Sequence, residues 1–157
     1  MSADTMPAEK PLVATPKIIE DYVLSRSPFA RDMGTRVIAC VDGYAELEVA
    51  AKPELTQHHG FLHGGVLATM ADNVCCWAAG SQVGDVLTVT FSIDFLAPGR
   101  GQRFVAKGQM VKATRQLAMS EAKVYAYDGD KETLVATAKA TLLRTAVPVQ
   151  AEQKKAA

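Results

Sequence analysis

The sequence predicts an α+β fold in which one curved antiparallel β-sheet wraps around a single long central helix, preceded by a short N-terminal helix. A helical apolar segment begins at Gly64, and period-two alternation of apolar residues dominates the chain after it. Short turns join these later segments, and short connections favour antiparallel neighbours. We predict one domain over residues 15–145, flanked by a flexible leader (1–14) and a flexible tail (146–157).

The first elements follow from local signals. Thr15-Pro16 is typical of an N-cap followed by proline at the first helical position, and the helix after it should end between Ser25 and Pro28. Residues 37–41 and 45–49 alternate between apolar and polar side chains around Asp42-Gly43, a two-residue hairpin signal.

The long helix should run from Gly64 to Ala79 and be closed by Gly80. Four strands should follow as a meander, over residues 87–95, 104–112, 117–127 and 133–144. In the first of them, strict alternation places Thr88 on the polar face. A single sheet leaves its edges unpaired, so we expect dimerisation through the strand at 87–95.

The bulk composition excludes several classes of protein. The 157 residues carry 17 basic and 17 acidic side chains, without the excess positive charge of a nucleic-acid binder. The longest apolar run, residues 66–79, is too short to span a membrane, and the N-terminus has no secretory signal, which favours a cytoplasmic location. The three cysteines should be reduced, because their number is odd and two are neighbours.

Asp72 is the most informative residue of the chain. Apart from two cysteines, it is the only ionisable residue between Gly64 and Gly80. A carboxylate in an apolar helix is costly to bury unless it is hydrogen-bonded, so we expect it to have a function. Gly64 and Gly65 stand at the predicted helix start, where free backbone N–H groups can bind a negatively charged oxygen.

Three motifs carry a family resemblance. They are Gln57-His58-His59-Gly60-Phe61-Leu62-His63-Gly64-Gly65, Met70-Ala71-Asp72-Asn73 and Ile93-Asp94-Phe95-Leu96-Ala97-Pro98. Together with the order of elements, they resemble the PaaI-type acyl-CoA thioesterases of the hotdog-fold superfamily, over about residues 30–144. The resemblance implies hydrolysis of an acyl-CoA thioester to free acid and CoA, with no cofactor and no metal ion.

The resemblance also implies roles for individual residues. Asp72 corresponds to the family's general base or nucleophile. The polarising backbone amide falls on the segment His63-Gly64-Gly65, with Gly64 as its donor, and His63 could orient the loop or assist the departing thiolate. Gln57 stands where many relatives have Asn, and Thr88 aligns with a helper hydroxyl on the central strand.

Other residues are predicted to contact the substrate. Phe61 and Leu62, with Met70 and Trp77, could line an acyl tunnel, and Asn73 is a further substrate-binding candidate. The basic residues of the later strands and turns could bind the phosphates of CoA, with Lys112 and Arg115 as the chosen candidates.

The spacing of Gly64 and Asp72 predicts a shared site. Eight residues of helix separate them by about 12 Å along the axis, so one carbonyl carbon cannot contact both within one chain. We therefore predict a homodimer, or a dimer of dimers, in which Asp72 of one protomer meets Gly64 of the other.

Two other functions stay open. A hotdog dehydratase or hydratase would pair His58 with Asp72, although the proline-rich run expected between them is absent. A non-catalytic acyl-CoA-binding protein would use the same fold as a sensor. A metal pair formed by His59 and His63 is disfavoured, because that segment is not cleanly helical and no zincin glutamate follows.

Overall fold

The computed structural model describes residues 13–145, and it confirms the predicted architecture of a sheet packed against one long helix. The predicted tail and nearly all of the predicted leader lie outside the described residues. The elements are α1 (Pro16–Ile18), continued by a π-helix (Ile19–Leu24); α2 (Pro28–Asp32); β1 (Arg36–Val41); β2 (Tyr44–Ala50); a 3-10 turn (Pro53–Leu55); α3 (Gly64–Val83); β3 (Val86–Phe95); β4 (Arg103–Ala113); β5 (Leu117–Asp128); and β6 (Lys131–Arg144).

The six strands form one antiparallel sheet in the order β1-β2-β4-β5-β6-β3. The predicted hairpin joins β1 to β2 through Asp42 and Gly43, both of which have positive φ, as the turn requires. The predicted four-strand meander is wrong for its first strand, because β3 pairs with β6 and not with β4, the next strand along the chain. Within the described residues β3 has no second partner, so its other side is an unpaired edge. Within residues 13–145, no helix is long and apolar enough to span a membrane.

Helix α3 lies against the inner face of the sheet at very short range. At Gly108 of β4, an added Cβ would lie 2.4 Å from the carbonyl oxygen of Val74, so only glycine fits there. The inner face of β5 carries small side chains at Ala118, Ala122 and Ala126, all buried. This row of small residues allows the helix and the sheet to approach each other closely, and the core forms between them.

The N-terminal part of the chain differs from prediction in two elements. The predicted N-cap is confirmed, since Thr15 Oγ1 accepts a hydrogen bond from the Ile18 N–H at 3.3 Å. The helix changes to π geometry at Ile19, and α2 is an additional short helix that the sequence reading missed. Pro28 opens α2 at a position that proline favours.

The predicted end of the long helix is wrong. Helix α3 continues to Val83, and Gly84 (φ 84°) terminates it. Gly80 lies inside the helix, where its missing side chain lets Ala14 approach; an added Cβ would lie 3.3 Å from Ala14 Cβ. The Ala14 N–H also donates to the Gly80 carbonyl at 2.9 Å. The glycine therefore serves a close contact rather than a helix end.

The predicted orientation of Thr88 is also wrong. A β-bulge interrupts the pairing of β3 with β6, because Thr88 lies opposite Leu142 while Thr90 lies opposite Thr141. Leu142 is buried on the inner face, so Thr88 faces α3 and not the outer surface. A bulge inserts one unpaired residue, here Val89, and thereby shifts the alternation by one position.

Candidate active site

The side chains of Asp72 and Thr88 join α3 to the edge strand β3. The Thr88 hydroxyl donates a hydrogen bond to Asp72 Oδ1 at 2.8 Å. Asp72 is half-buried, and its Oδ2 has no hydrogen-bond partner among residues 13–145. One oxygen of the carboxylate is thus held in place, and the other is free to accept a proton.

Cys76 completes this group of side chains. Its Sγ lies 3.2 Å from Thr88 Oγ1. Because the single hydroxyl hydrogen of Thr88 goes to Asp72, the Cys76 thiol is the donor in this contact. Burial, and next the nearby charge of Asp72, raise the pKa of Cys76 to about 12, which keeps the thiol protonated. The sequence reading missed Cys76, although its position four residues after Asp72 places both on one helix face.

Three of the four N–H groups at the start of α3 are already occupied. The His63 Nδ1 accepts a hydrogen bond from Gly65 N at 2.9 Å and so caps the helix. Val66 N and Leu67 N both donate to the His63 carbonyl, at 2.9 and 3.2 Å. Gly64 N has no acceptor within the described part of the chain. It is therefore the donor that a substrate oxygen could use.

Phe95 covers Gly64. A Cβ added at Gly64 would lie 3.2 Å from Phe95 Cζ, so the tip of the phenyl ring lies against the glycine. Phe95 ends β3 and is 54% exposed, so a largely exposed apolar ring lies next to the start of α3. The ring belongs to the third sequence motif, but no role was predicted for it.

Gln57 and His58 lie in the loop before α3. Gly60, with φ 79°, permits a tight turn in which Gly60 N donates to the Gln57 carbonyl at 2.8 Å. The Gln57 side-chain oxygen accepts from His59 N at 2.5 Å, so it stabilises its own loop. His58 is exposed, and its ring centroid lies 3.9 Å from that of His59. No contact joins His58 to Asp72 within the described chain.

The predicted substrate-binding residues fall in different environments. Phe61 is half-buried, with the Arg100 guanidinium 4.5 Å from its ring centroid. Leu62 is 4% exposed and belongs to the core. Asn73 carries a buried Nδ2 that has no hydrogen-bond partner in the described residues. An unpaired buried donor of this kind is costly, so Asn73 is a position where a ligand oxygen could be favourable.

The basic residues differ in whether they form ion pairs. Arg103 donates to Glu48 at 3.0 Å, whereas Lys112 and Arg115 are exposed and form no ion pair with another residue of the described range. Cross-strand pairing places Lys112 opposite Met119 on the outer face of the sheet. Two grooves of about 450 and 460 Å³ also lie along the outer face, and neither is lined by a predicted site residue.

Comparison with known proteins decides the family. Residues 59–133 match the family described as the Thioesterase superfamily. A crystal structure of a thioesterase family protein from Silicibacter pomeroyi superposes with a TM-score of 0.77 and is 36% identical, covering 81% of this chain and 95% of that one. The chain belongs to the thioesterase superfamily. It is a hotdog-fold thioesterase of the PaaI type.

Two curated relatives of this thioesterase carry more specific names. The medium/long-chain acyl-CoA thioesterase YigI of Escherichia coli is 23% identical over 145 residues, covering 81% of this chain and 92% of that protein. The acyl-coenzyme A thioesterase PaaI of Escherichia coli is 27% identical over 96 residues, covering 60% of this chain and 69% of that protein. The sequence prediction of a thioester hydrolase is confirmed at the level of the family.

Proposed function

We propose that this thioesterase hydrolyses acyl-CoA thioesters, with Asp72 as the general base or nucleophile. The observation that carries this proposal is the Thr88–Asp72 hydrogen bond, which fixes one carboxylate oxygen and leaves the other free. The names of the YigI and PaaI relatives support CoA as the thiol carrier.

The reaction requires two groups at one carbonyl carbon. In the general-base route, Asp72 takes a proton from water, and the hydroxide oxygen bonds to the thioester carbon. The carbonyl oxygen gains negative charge, which the Gly64 N–H stabilises, helped by the positive end of α3. The carbon–sulfur bond then breaks, and CoA leaves as a thiolate that takes up a proton. In the nucleophilic route, an Asp72 oxygen bonds to the thioester carbon, the carbon–sulfur bond breaks and the CoA thiolate leaves, and water then hydrolyses the mixed anhydride to the free acid and Asp72.

Two protomers would have to share this site. Asp72 and Gly64 lie on the same helix, about 12 Å apart along its axis, while the reacting atoms must approach to about 3 Å. The unpaired edge of β3 exposes Leu87 (60%) and Val89 (57%), so pairing of two β3 strands would cover apolar surface next to Thr88. We infer a homodimer, or a dimer of dimers, in which Gly64 comes from the partner subunit.

The remaining predicted residues have supporting roles in this proposal. His63 keeps the helix start ordered through its cap on Gly65, and Gln57 retains an Nε2 donor that could bind a carbonyl oxygen or water. Phe61, Leu62 and Asn73 are proposed to contact substrate. Lys112 and Arg115 are proposed to bind CoA phosphates, because their charges are not neutralised by nearby carboxylates of the described chain.

The experiment is thiol release from a panel of acyl-CoAs, measured for the wild type and for Asp72→Asn. We expect the wild type to release CoA, and the variant to be slower by at least 100-fold, since a positioned acid–base group contributes about 10²–10⁴-fold. Binding of acyl-CoA without thiol release would instead indicate a sensor. Hydration or dehydration of the acyl chain without thiol release would indicate the (de)hydratase that pairs His58 with Asp72.

A further inference from the structure

A cavity of about 210 Å³ lies between the N-terminal helix, α3 and the start of β3, and we name it the helix-side chamber. Its lining includes Ile18 and Tyr22 from the N-terminal helix, Cys76 and Trp77 from α3, and Val86 from β3. Most of this lining is apolar. Asn73, proposed above to contact substrate, and Trp77, expected from the sequence to line an acyl tunnel, are both part of this lining.

The chamber adjoins the Asp72–Thr88 pair. Cys76 lines the chamber and also contacts Thr88 at 3.2 Å. Val86 precedes Thr88 by two residues on β3, with no register shift between them, so both side chains face α3. The chamber is therefore separated from the Asp72–Thr88 pair by one side chain, that of Cys76.

The volume of the chamber limits what it can hold. An apolar protein cavity of about 150 Å³ binds benzene. A volume of about 210 Å³ is larger by a factor of about 1.4, which corresponds to about eight carbon atoms at the same packing. The chamber can hold a monocyclic aryl-acyl group or about eight carbons of a linear acyl chain, and the remainder of a long fatty acyl chain would lie outside it.

We propose that the helix-side chamber is the acyl-binding site, and that it selects apolar acyl groups of up to about eight carbons. This inference rests on the proposed function, because it places the acyl group relative to Asp72. Each methylene buried in the chamber should raise kcat/KM by about fourfold, equivalent to ~0.8 kcal/mol, until the chamber is full.

The first test is a chain-length series from acetyl-CoA to dodecanoyl-CoA. For the wild type, kcat/KM should rise to a maximum at six to eight carbons and then fall. This length corresponds to the capacity of the chamber, about eight carbons, obtained from the comparison with benzene. Val86→Phe should lower kcat/KM for octanoyl-CoA by more than about tenfold and leave acetyl-CoA within about threefold, whereas Val86→Ala should move the maximum to a longer chain. The control is Val41→Phe, the same substitution at an exposed position of β1 outside the chamber.

A wild-type maximum at twelve carbons, or an equal decrease for every chain length in Val86→Phe, would overturn the proposal. A second measurement does not depend on turnover or on that variant. Trp77 is the only tryptophan of the chain, and it lines the chamber. In the Asp72→Asn protein, hexanoyl-CoA should change the tryptophan emission, and free CoA should not.

The two measurements separate failure of the chamber from failure of the proposed function. If the wild type releases no thiol from any acyl-CoA while hexanoyl-CoA still changes the Trp77 emission, the hydrolase proposal fails and the chamber stands. If thiol release occurs but hexanoyl-CoA and free CoA have the same effect on the emission, the chamber is not the acyl site.

Discussion

The Thr88 hydroxyl donates to Asp72 Oδ1 at 2.8 Å, and this one contact links the edge strand of the sheet to the central helix. It orients the carboxylate while leaving Oδ2 without a protein donor in the described chain. Because the Thr88 hydroxyl hydrogen is directed at Asp72, the Cys76 thiol is the donor in its contact with Thr88. The position of the proposed base therefore depends on a chain of three side chains.

Removing the Thr88 hydroxyl should impair catalysis more than folding. A hydrogen bond to a charged group is worth about 1.5–3 kcal/mol, so Thr88→Val should lower kcat by about tenfold or more. Thr88→Ser keeps the hydroxyl and is the matched control, expected within about threefold of wild type. Steady-state thiol release with one acyl-CoA measures both. Equal rates for the valine and serine variants would show that the hydroxyl does not matter.

Replacing Gly64 by proline removes the proposed oxyanion donor without removing the helix. Proline is favoured at the first helical position, and the extended backbone of His63 (ψ 136°) suits a following proline. Loss of one such donor costs about 10²–10³ in kcat. Gly64→Ala places a similar Cβ against Phe95 but keeps the N–H, so it separates crowding from loss of the donor. If the alanine variant is as slow as the proline variant, crowding explains the loss.

The His63 side chain should contribute to stability through its cap on Gly65. Loss of an N-cap costs about 1 kcal/mol, which corresponds to a decrease of about 3 °C in Tm for a chain of this size. We expect that decrease for His63→Ala, and about half of it or less for His63→Asn, since asparagine is a good N-cap. Thermal unfolding measures both variants. An alanine variant with unchanged Tm would exclude the cap as a stabilising contact.

Buried thiols should make the protein less stable at alkaline pH. Burial raises the pKa of Cys40 from 9.0 to about 11, and it raises the pKa of Cys75 as well. Because the thiol pKa values are lower in the unfolded chain, the thiols ionise there first, and this ionisation favours unfolding. The stability that the buried neutral thiols confer is therefore complete below pH 9 and is lost as the pH rises toward 11. The loss is about 1.4 kcal/mol per thiol at pH 10.

The measurement is the free energy of unfolding in urea at pH 8 and pH 10. A Cys40→Ala/Cys75→Ala variant should be less stable at pH 8, because it has lost core packing, but its decrease toward pH 10 should be smaller than that of wild type. Parallel decreases in the two proteins would show that other groups, such as tyrosines, cause the alkaline effect.

The order of elements was predictable because it depends on periodicity and turn residues that are local in the sequence. The pair Asp42-Gly43 predicted the β1–β2 hairpin, and the run of apolar residues after Gly64 predicted the long helix. Asp72 and Gly64 were predictable as candidates because a lone carboxylate and a glycine pair are rare at such positions.

Two features of the site were not predictable, because they depend on tertiary contacts. The bulge at Val89 reverses the orientation of Thr88, and no residue type in that strand predicts a bulge. Gly80 resembled a helix end, although its role is contact with Ala14 from a distant part of the chain. The helix-side chamber likewise arises only when the N-terminal helix packs on α3.

The shared site is the central claim, and complementation between two inactive proteins tests it most directly. Gly64→Pro and Asp72→Asn each inactivate both sites of a homodimer. If Asp72 of one protomer works with Gly64 of the other, an equimolar co-refolded mixture contains hybrid dimers with one intact site. Because half of the dimers are hybrids, activity should return to about a quarter of the wild-type rate. A mixture no more active than the average of the two variants would contradict the account.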